Sequence, residues 1–288
     1  MDVATRIEQA LVRAIDMADG RHSPPRLAAA MRHAVFPRGA RIRPRLCLAV
    51  AAACDEDDPR LTDAAAASIE LLHCASLIHD DLPCFDNAAT RRGRPSVHSA
   101  FGERLAVLAG DALIVLAFDT LAQVSCASQR LCPVILTVTR AVGVPTGIVA
   151  GQAWECESAA DLALYHRQKT GALFSAATVA GAAAAGAATE PWRAVGERIG
   201  EAYQVADDLR DAIADPEEIG KPTGRDVALG RPSATTAFGV EGAVKRLETL
   251  VAEAIEAIPA CPRAGDLRAL ITLEAKRLVP KKFAQRAA

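Results

Sequence analysis

Apolar residues recur along the chain at helical spacing, and strand-like alternation rich in Val, Thr and aromatics is nearly absent. Residues 3–18 read as an amphipathic opening helix, broken by Asp19-Gly20 and Ser23-Pro24-Pro25. Pro24 or Pro25 suits the first turn of the next helix, where a missing N–H costs nothing. That helix ends by Phe36, and Pro37-Arg38-Gly39 is a turn. A buried helix is predicted over 44–54, a polar loop over 55–59 and a long helix over 61–82. Residues 88–95 read as a basic loop, followed by helices over 100–124, 128–142, 146–157, 160–187 and 191–213. Two more helices span 233–258 and 264–278. Residues 215–232 are rich in Pro, Gly and charge, and are too long for an ordinary connector, which predicts a functional loop. The tail with Lys281, Lys282 and Arg286 is expected to be mobile. No repeat or linker divides the chain. The expectation is an all-α fold, a single domain over 1–288 built as one helical bundle around a central cavity.

Composition narrows the partners. A chain of 288 residues can bury a large core. Its net charge of −2 gives no overall field for nucleic acid or an anionic membrane. Aromatics are only 4 % and form no base-stacking platform. Eight cysteines are scattered without a CxxC pair and mostly within apolar runs, as expected of small buried hydrophobes in a reducing cytoplasm. The N-terminus lacks the basic start, apolar core and cleavage site of a signal peptide. Residues 171–189 are uncharged and barely long enough to span a bilayer, but their Ala and Gly content favours a buried core helix over a membrane segment.

Two acidic clusters change the picture from architecture to chemistry. The first is HDDLPCFDNAATRRG, with Asp80, Asp81 and Asp86 ahead of Arg91 and Arg92; the second is QVADDLRD, with Asp207, Asp208 and Asp211, followed by Lys221. Each ends an apolar stretch, where crowded carboxylates repel and are poorly solvated. Divalent cations remove that penalty, and the arginines suit phosphate through paired hydrogen bonds. Asp207 and Asp211 are one turn apart on one helix face. Asp80 and Asp86 are separated by about 600° of helix rotation, so an unbroken helix would point them apart. Pro83 breaks the ladder, and a turn over Leu82–Phe85 is expected to return Asp86 towards Asp80.

These residues, in this order, resemble the trans-prenyltransferases, the isoprenyl diphosphate synthases. The similarity covers GARIRP, HCASLIHDDLPCFDNAATRRGRPSVH, LAGDAL, GQAWE, YHRQKTGALF and QVADDLRDAIADPEEIGKPTGRD. Within the family it is greatest to bacterial geranylgeranyl diphosphate synthases of carotenoid and bacteriochlorophyll pathways. The resemblance implies the all-α isoprenoid synthase fold around a deep cavity, a homodimer, and head-to-tail condensation of isopentenyl diphosphate with an allylic diphosphate such as farnesyl diphosphate. By motif, Asp80, Asp81, Asp86, Asp207, Asp208 and Asp211 would hold Mg²⁺, three ions with substrate bound. Arg91, Lys169 and Lys221 would contact the allylic diphosphate. Arg43, His73 and Arg92 would hold isopentenyl diphosphate, and Thr170 and Gln204 would line the cation region. Asp111 in LAGDAL is as well explained by a structural role.

The departures from the family pattern are specific. Ala40 replaces a lysine that helps bind isopentenyl diphosphate, and Arg38 is expected to supply part of that charge; a Michaelis constant unchanged in Arg38→Ala would sink this. Glu155 stands where Asp is usual, and Asn87-Ala88-Ala89 replaces a more acidic run. Ala75 and Ser76 lie one turn before Asp80, where short-chain members commonly carry an aromatic at the fifth position, so a twenty-carbon product is expected over fifteen. The alternative product is farnesyl diphosphate. A non-catalytic subunit of a heteromeric synthase would be expected to lack acidic ligands, and a terpene cyclase would not need the set Arg43, His73 and Arg92.

Overall fold

Helices carry nearly all the regular structure in a computed structural model that describes residues 2–36, 39–54, 57–125, 128–157, 161–213 and 233–278. The described residues fall into two compact units. One draws on Met1–Ala52, Glu56–Val138 and Ala180–Ala187; the other on Ala53–Asp55, Thr139–Val179 and Ala188–Ala288.

The first unit is built around α4 (Pro59–Asp80). This helix starts two residues before its predicted boundary, because Asp58 caps it through Arg60 N–H at 3.2 Å and Pro59 takes its first position. From Leu61 to Cys74 every residue but Asp63 and His73 is buried, so the helix is enclosed around most of its circumference. Packed on it are α1 (Val3–Ala18) and α6 (Glu103–Ala122), with α2 (Pro25–Val35) against both α4 and α6. A buried ion cluster ties the entry to α3 (Ile42–Ala53) into this core. Arg41 pairs with Glu8 at 3.0 Å and Glu70 at 2.7 Å, and donates to the Val35 carbonyl at 2.7 Å. Removing either glutamate would leave a buried guanidinium short of a partner, at a cost of about 3–5 kcal/mol. Arg41 sits at φ 51°, a left-handed conformation that this cluster holds in place.

Two expectations fail in this unit. The basic segment 88–95 is a short hairpin, not an open loop: β1 (Thr90–Arg91) pairs antiparallel with β2 (Arg94–Pro95). Its tip, Arg92-Gly93, has positive φ at both residues, 53° and 73°, as a type I′ turn requires. The helix predicted over 100–124 is divided into α5 (Val97–Phe101) and α6 by Gly102, whose φ of 89° no helix accommodates.

The second unit runs through the end of α7 (Ser128–Val142), α8 (Ile148–Ala153), a 3₁₀ turn (Trp154–Cys156), α9 (Leu162–His166) and a π turn (Arg167–Gly171). It continues through α10 (Ala172–Ala184) as far as Val179, then α11 (Glu190–Ile213), α12 (Ala234–Glu256) and α13 (Ala264–Leu278). The segment expected as one helix over 160–187 is indeed one unbroken helical run over 162–184, with the π turn inside it, and its end at Gly186 is closed by Ala187 N–H on the Ala182 carbonyl at 2.9 Å. By contrast, the helix expected over 146–157 shortens to α8 and its 3₁₀ turn, and α12 is kinked at Gly239. As expected, α10 is buried along its length. Gly196 lets α11 cross it closely, since a Cβ there would lie 2.5 Å from Ser175 Cα. Among the described residues, α4 and α6 are long and apolar enough to cross a membrane, but α4 is 78 % buried over that window and α6 44 %. The predicted functional loop 215–232, the tail and Arg38 lie outside the described residues.

Candidate active site

The first acidic cluster is a closed turn at the end of α4. Pro83 has no N–H to continue the ladder, and the chain folds back instead. Phe85 N–H donates to the Leu82 carbonyl at 2.9 Å, and Asp86 N–H to the Asp80 carbonyl at 2.9 Å. Asn87 N–H reaches Leu82 and Ala88 N–H reaches Asp81, with Asn87 at φ 46°. The return of Asp86 to Asp80 is thus present in the backbone. Asp80 and Asp86 are half-buried, while Asp81 is 2 % exposed. Both Asp81 oxygens accept from Arg91 Nε, at 3.0 and 3.2 Å, and Oδ1 also accepts from the Arg91 terminal nitrogen. The hairpin therefore carries its first arginine onto the acidic turn.

Cationic groups gather around His73. The imidazole is half-buried among them; desolvation first, then the charges of Arg43, Arg92, Arg91 and Arg41, hold it well below the ordinary value, so it is neutral at pH 7. This brings together the three residues expected at the isopentenyl diphosphate site, Arg43, His73 and Arg92. The Arg92 guanidinium lies against Gly39, where a Cβ would come within 2.6 Å of it. Gly39 thus makes room for the hairpin tip against the segment leading to Arg43. One turn before Asp80, Ala75 is 1 % exposed while Ser76 is half-buried, its hydroxyl donating to the His73 carbonyl at 2.8 Å.

On α11 the second cluster splits its labour. Asp207 is exposed and pairs with Arg210 at 2.6 Å, and Asp211 is half-buried one turn on. Asp208 is 4 % exposed, with both oxygens engaged: Oδ1 accepts from Gln204 at 2.9 Å and Oδ2 from Ala234 N–H at 2.7 Å, at the start of α12. Burial pushes its carboxyl up, and the Ala234 and Gln204 hydrogen bonds partly offset this. Because the Gln204 amide must donate to that carboxylate, its carbonyl faces Thr170, whose hydroxyl donates to it at 2.8 Å. Lys169 belongs to the π turn and donates to Glu155 at 2.5 Å. Lys221 lies outside the described residues.

Sequence reasoning missed three contributors. Arg41 was hidden within GARIRP, and its left-handed backbone has no signature in periodicity. Tyr165 donates to Glu155 at 2.6 Å, and Gln168 bridges Trp154 Nε1 at 2.8 Å and the Pro145 carbonyl at 3.0 Å. The unusual Glu155 was the available signal for Tyr165.

The donors fit Mg²⁺. Among the described residues no three His, Cys, Asp or Glu side chains converge on one ready-made cation position. Mg²⁺ does not demand such a cage: it takes one or two carboxylates and completes its shell with water and phosphate oxygens. Asp80 and Asp86 on a closed turn, and Asp207 and Asp211 one helical turn apart, each offer that number of hard oxygen ligands.

Known proteins similar to this chain in sequence and fold belong to one family. A sequence model described as polyprenyl synthetase matches residues 24–264. The chain is 52 % identical over 282 residues to the geranylgeranyl diphosphate synthase of Cereibacter sphaeroides, covering 98 % of each chain. It is 51 % identical over 280 residues to that of Rhodobacter capsulatus, covering 97 % of each. Among solved structures, geranylgeranyl pyrophosphate synthetase from Pyrococcus horikoshii superposes with a TM-score of 0.81 at 27 % identity, over 96 % of both chains. Geranyltransferase from Helicobacter pylori, complexed with magnesium and isoprenyl diphosphate, gives 0.79 at 31 % identity, over 96 % of this chain and 97 % of that one. The fold is the all-α isoprenoid synthase fold, and the chain belongs to the polyprenyl synthetase family.

Proposed function

We propose that this protein is a trans-prenyltransferase that condenses isopentenyl diphosphate with farnesyl diphosphate to give geranylgeranyl diphosphate. The observation that carries the reading is the closed acidic turn, with Asp86 folded back on Asp80 and Arg91 fixed to Asp81. In the reaction the allylic carbon–oxygen bond breaks, and the diphosphate leaves with its electron pair. The double bond of isopentenyl diphosphate then attacks the cation, and a proton is lost. Asp80, Asp81, Asp86, Asp207, Asp208 and Asp211 are the proposed carboxylates for Mg²⁺, with three ions at full occupancy. When bound, Mg²⁺ neutralises the charge that builds on the leaving diphosphate. Arg91, Lys169 and Lys221 add cationic contacts to it.

His73, neutral at pH 7, contributes a hydrogen bond rather than a charge to isopentenyl diphosphate, beside Arg43 and Arg92. Thr170 donates its hydroxyl hydrogen bond to Gln204, which leaves its oxygen lone pairs to face the allylic cation. The same proposal includes a single domain over 1–288, a homodimer and a cytoplasmic location. The homodimer is supported by the exposed apolar face of α6, with Leu108 at 51 % and Val115 at 68 % exposure. Free cysteines at 47, 54, 74, 84, 132, 156 and 261 suit a reducing compartment.

The test is incubation with Mg²⁺, isopentenyl diphosphate and a series of allylic primers, followed by product chain-length analysis. A twenty-carbon product is expected. A product that stops at fifteen carbons would make the enzyme a farnesyl diphosphate synthase, and absence of any condensation would sink the proposal.

A further inference from the structure

Glu155, Tyr165 and Lys169 meet at one oxygen atom. Glu155 Oε1 accepts from Lys169 Nζ at 2.5 Å and from the Tyr165 hydroxyl at 2.6 Å. Its second oxygen accepts from Gln152 Nε2 at 2.9 Å. The ammonium also lies 5.7 Å from the centre of the Tyr165 ring. The arrangement is rigidly placed. Gly151 on α8 sits so close to the π turn that a Cβ would lie 2.3 Å from Lys169 N, which fixes Gln152 and Glu155 against the lysine. A π turn is itself an unusual backbone, a bulge within a helix that is frequent at functional sites.

The Glu155 side chain is 16 % exposed and the Lys169 side chain 21 %, so neither is well solvated. A lysine this tightly held would have to loosen its grip to meet an anionic substrate. That step would leave a poorly hydrated carboxylate behind, which is costly unless other donors remain. Tyr165 and Gln152 are those donors. Tyr165 acts on the same oxygen as the lysine, so its proton also draws charge from the atom that Lys169 grips. We propose that Tyr165 is a positioning residue that loosens the hold of Glu155 on Lys169, and so sets how readily the ammonium reaches the allylic diphosphate. The inference rests on Lys169 contacting that diphosphate in the proposed reaction.

Steady-state kinetics and calorimetric binding of a non-ionisable thio-analogue of farnesyl diphosphate, with Mg²⁺ present, test it on three variants. Tyr165→Phe should raise the allylic KM and the analogue Kd about tenfold, the scale of a charge-assisted hydrogen bond, with kcat and the isopentenyl diphosphate KM within about twofold. In a Glu155→Gln background, where no carboxylate grips the lysine, adding Tyr165→Phe should shift either constant by less than about twofold. An unchanged allylic KM and Kd in Tyr165→Phe would overturn the inference, as would the same tenfold shift persisting in the Glu155→Gln background. Lys169→Met isolates the premise. If it leaves allylic binding unchanged, the reading of Lys169 fails and the inference with it; if it weakens binding while Tyr165→Phe does not, only the role of Tyr165 is lost.

Discussion

The backbone N–H of Asp86 donates to the carbonyl of Asp80 at 2.9 Å, so two aspartates six positions apart belong to one closed turn. Asp81, between them, is committed to Arg91 and is 2 % exposed. The three carboxylates therefore answer differently to neutralisation. Asp80→Asn and Asp86→Asn should each lower kcat by about 10²-fold or more, the scale of losing charge stabilisation in the transition state, with little change in melting temperature. Asp81→Asn should also destabilise the fold by about 1.5–3 kcal/mol, because it removes the charge-assisted hydrogen bonds to the half-buried Arg91 guanidinium. Activity assays beside urea unfolding check this; equal stability losses at all three positions would count against the division of roles.

Gly110 on α6 is open for the ring of His79: a Cβ there would lie 2.1 Å from His79 Nε2. Two effects compete in Gly110→Ala. Helix propensity favours alanine by about 1 kcal/mol. Overpacking against the imidazole costs about 1–3 kcal/mol. The clash should win, giving a net loss of stability, and the ring it displaces adjoins Asp80. With His79→Ala added, the clash disappears and the same substitution should stabilise. Chemical denaturation of the two single variants and the double variant measures the sign. A loss that persists without the imidazole would contradict this account.

His73 is held neutral by burial and by four nearby guanidinium groups. Its folded pKa lies below the unfolded value of about 6.5. As pH falls through that unfolded value, the unfolded chain binds a proton that the folded chain refuses, so stability is lost on the acid side. The slope from this one group approaches about 1.4 kcal/mol per pH unit between its two pKa values. His73→Gln should flatten the stability profile on the acid side of roughly pH 6.5. Urea midpoints at several pH values would show it, and parallel profiles for the two proteins would refute it.

Much of this was legible in the sequence where the signal is local. The helices 3–18, 128–142, 191–213 and 264–278 follow from spacing and breakers, and their observed bounds agree to within a residue. Pro83 between Asp80 and Asp86 already demanded a turn. What stayed hidden depends on partners distant in the chain or on backbone conformation. Thr170 and Gln204 are 34 positions apart, Glu155 and Lys169 14, and no periodicity links them. Gly102 and Arg92-Gly93 carry positive φ values that interrupt otherwise helical or loop-like composition, which hydrophobic pattern cannot report. Asp208 looked equivalent to Asp207 in sequence, yet only Asp208 is turned inward to cap α12.

Leu108 and Val115 on α6 are seven positions apart, which places them on one helix face, and Val107 beside them is 42 % exposed. Paired against a second copy, such a face removes apolar area from water at about 25 cal/mol per Å². A Leu108→Glu/Val115→Glu variant should therefore run as a monomer in light scattering, while the unsubstituted protein runs as a dimer. A dimer that survives both substitutions would place the interface on another surface.

Product length turns on the α4 turn before Asp80. Ser76 is four positions earlier, about 40° from Asp80 around the helix, whereas Ala75 is five earlier and about 140° away. Their burial follows this geometry: Ser76 is half-buried and Ala75 is 1 % exposed. Ser76 therefore has room on the side that Asp80 shares, and Ala75 is packed in the core. Ser76→Tyr should shorten the product from twenty carbons towards fifteen without a measurable stability loss. Ala75→Tyr should shorten it as well, but at a cost of about 1–3 kcal/mol, because the ring must displace packed neighbours to reach the chain. Product analysis and urea unfolding on both variants separate the two positions. A twenty-carbon product from both would put the floor of the chain-length pocket elsewhere than this turn of α4.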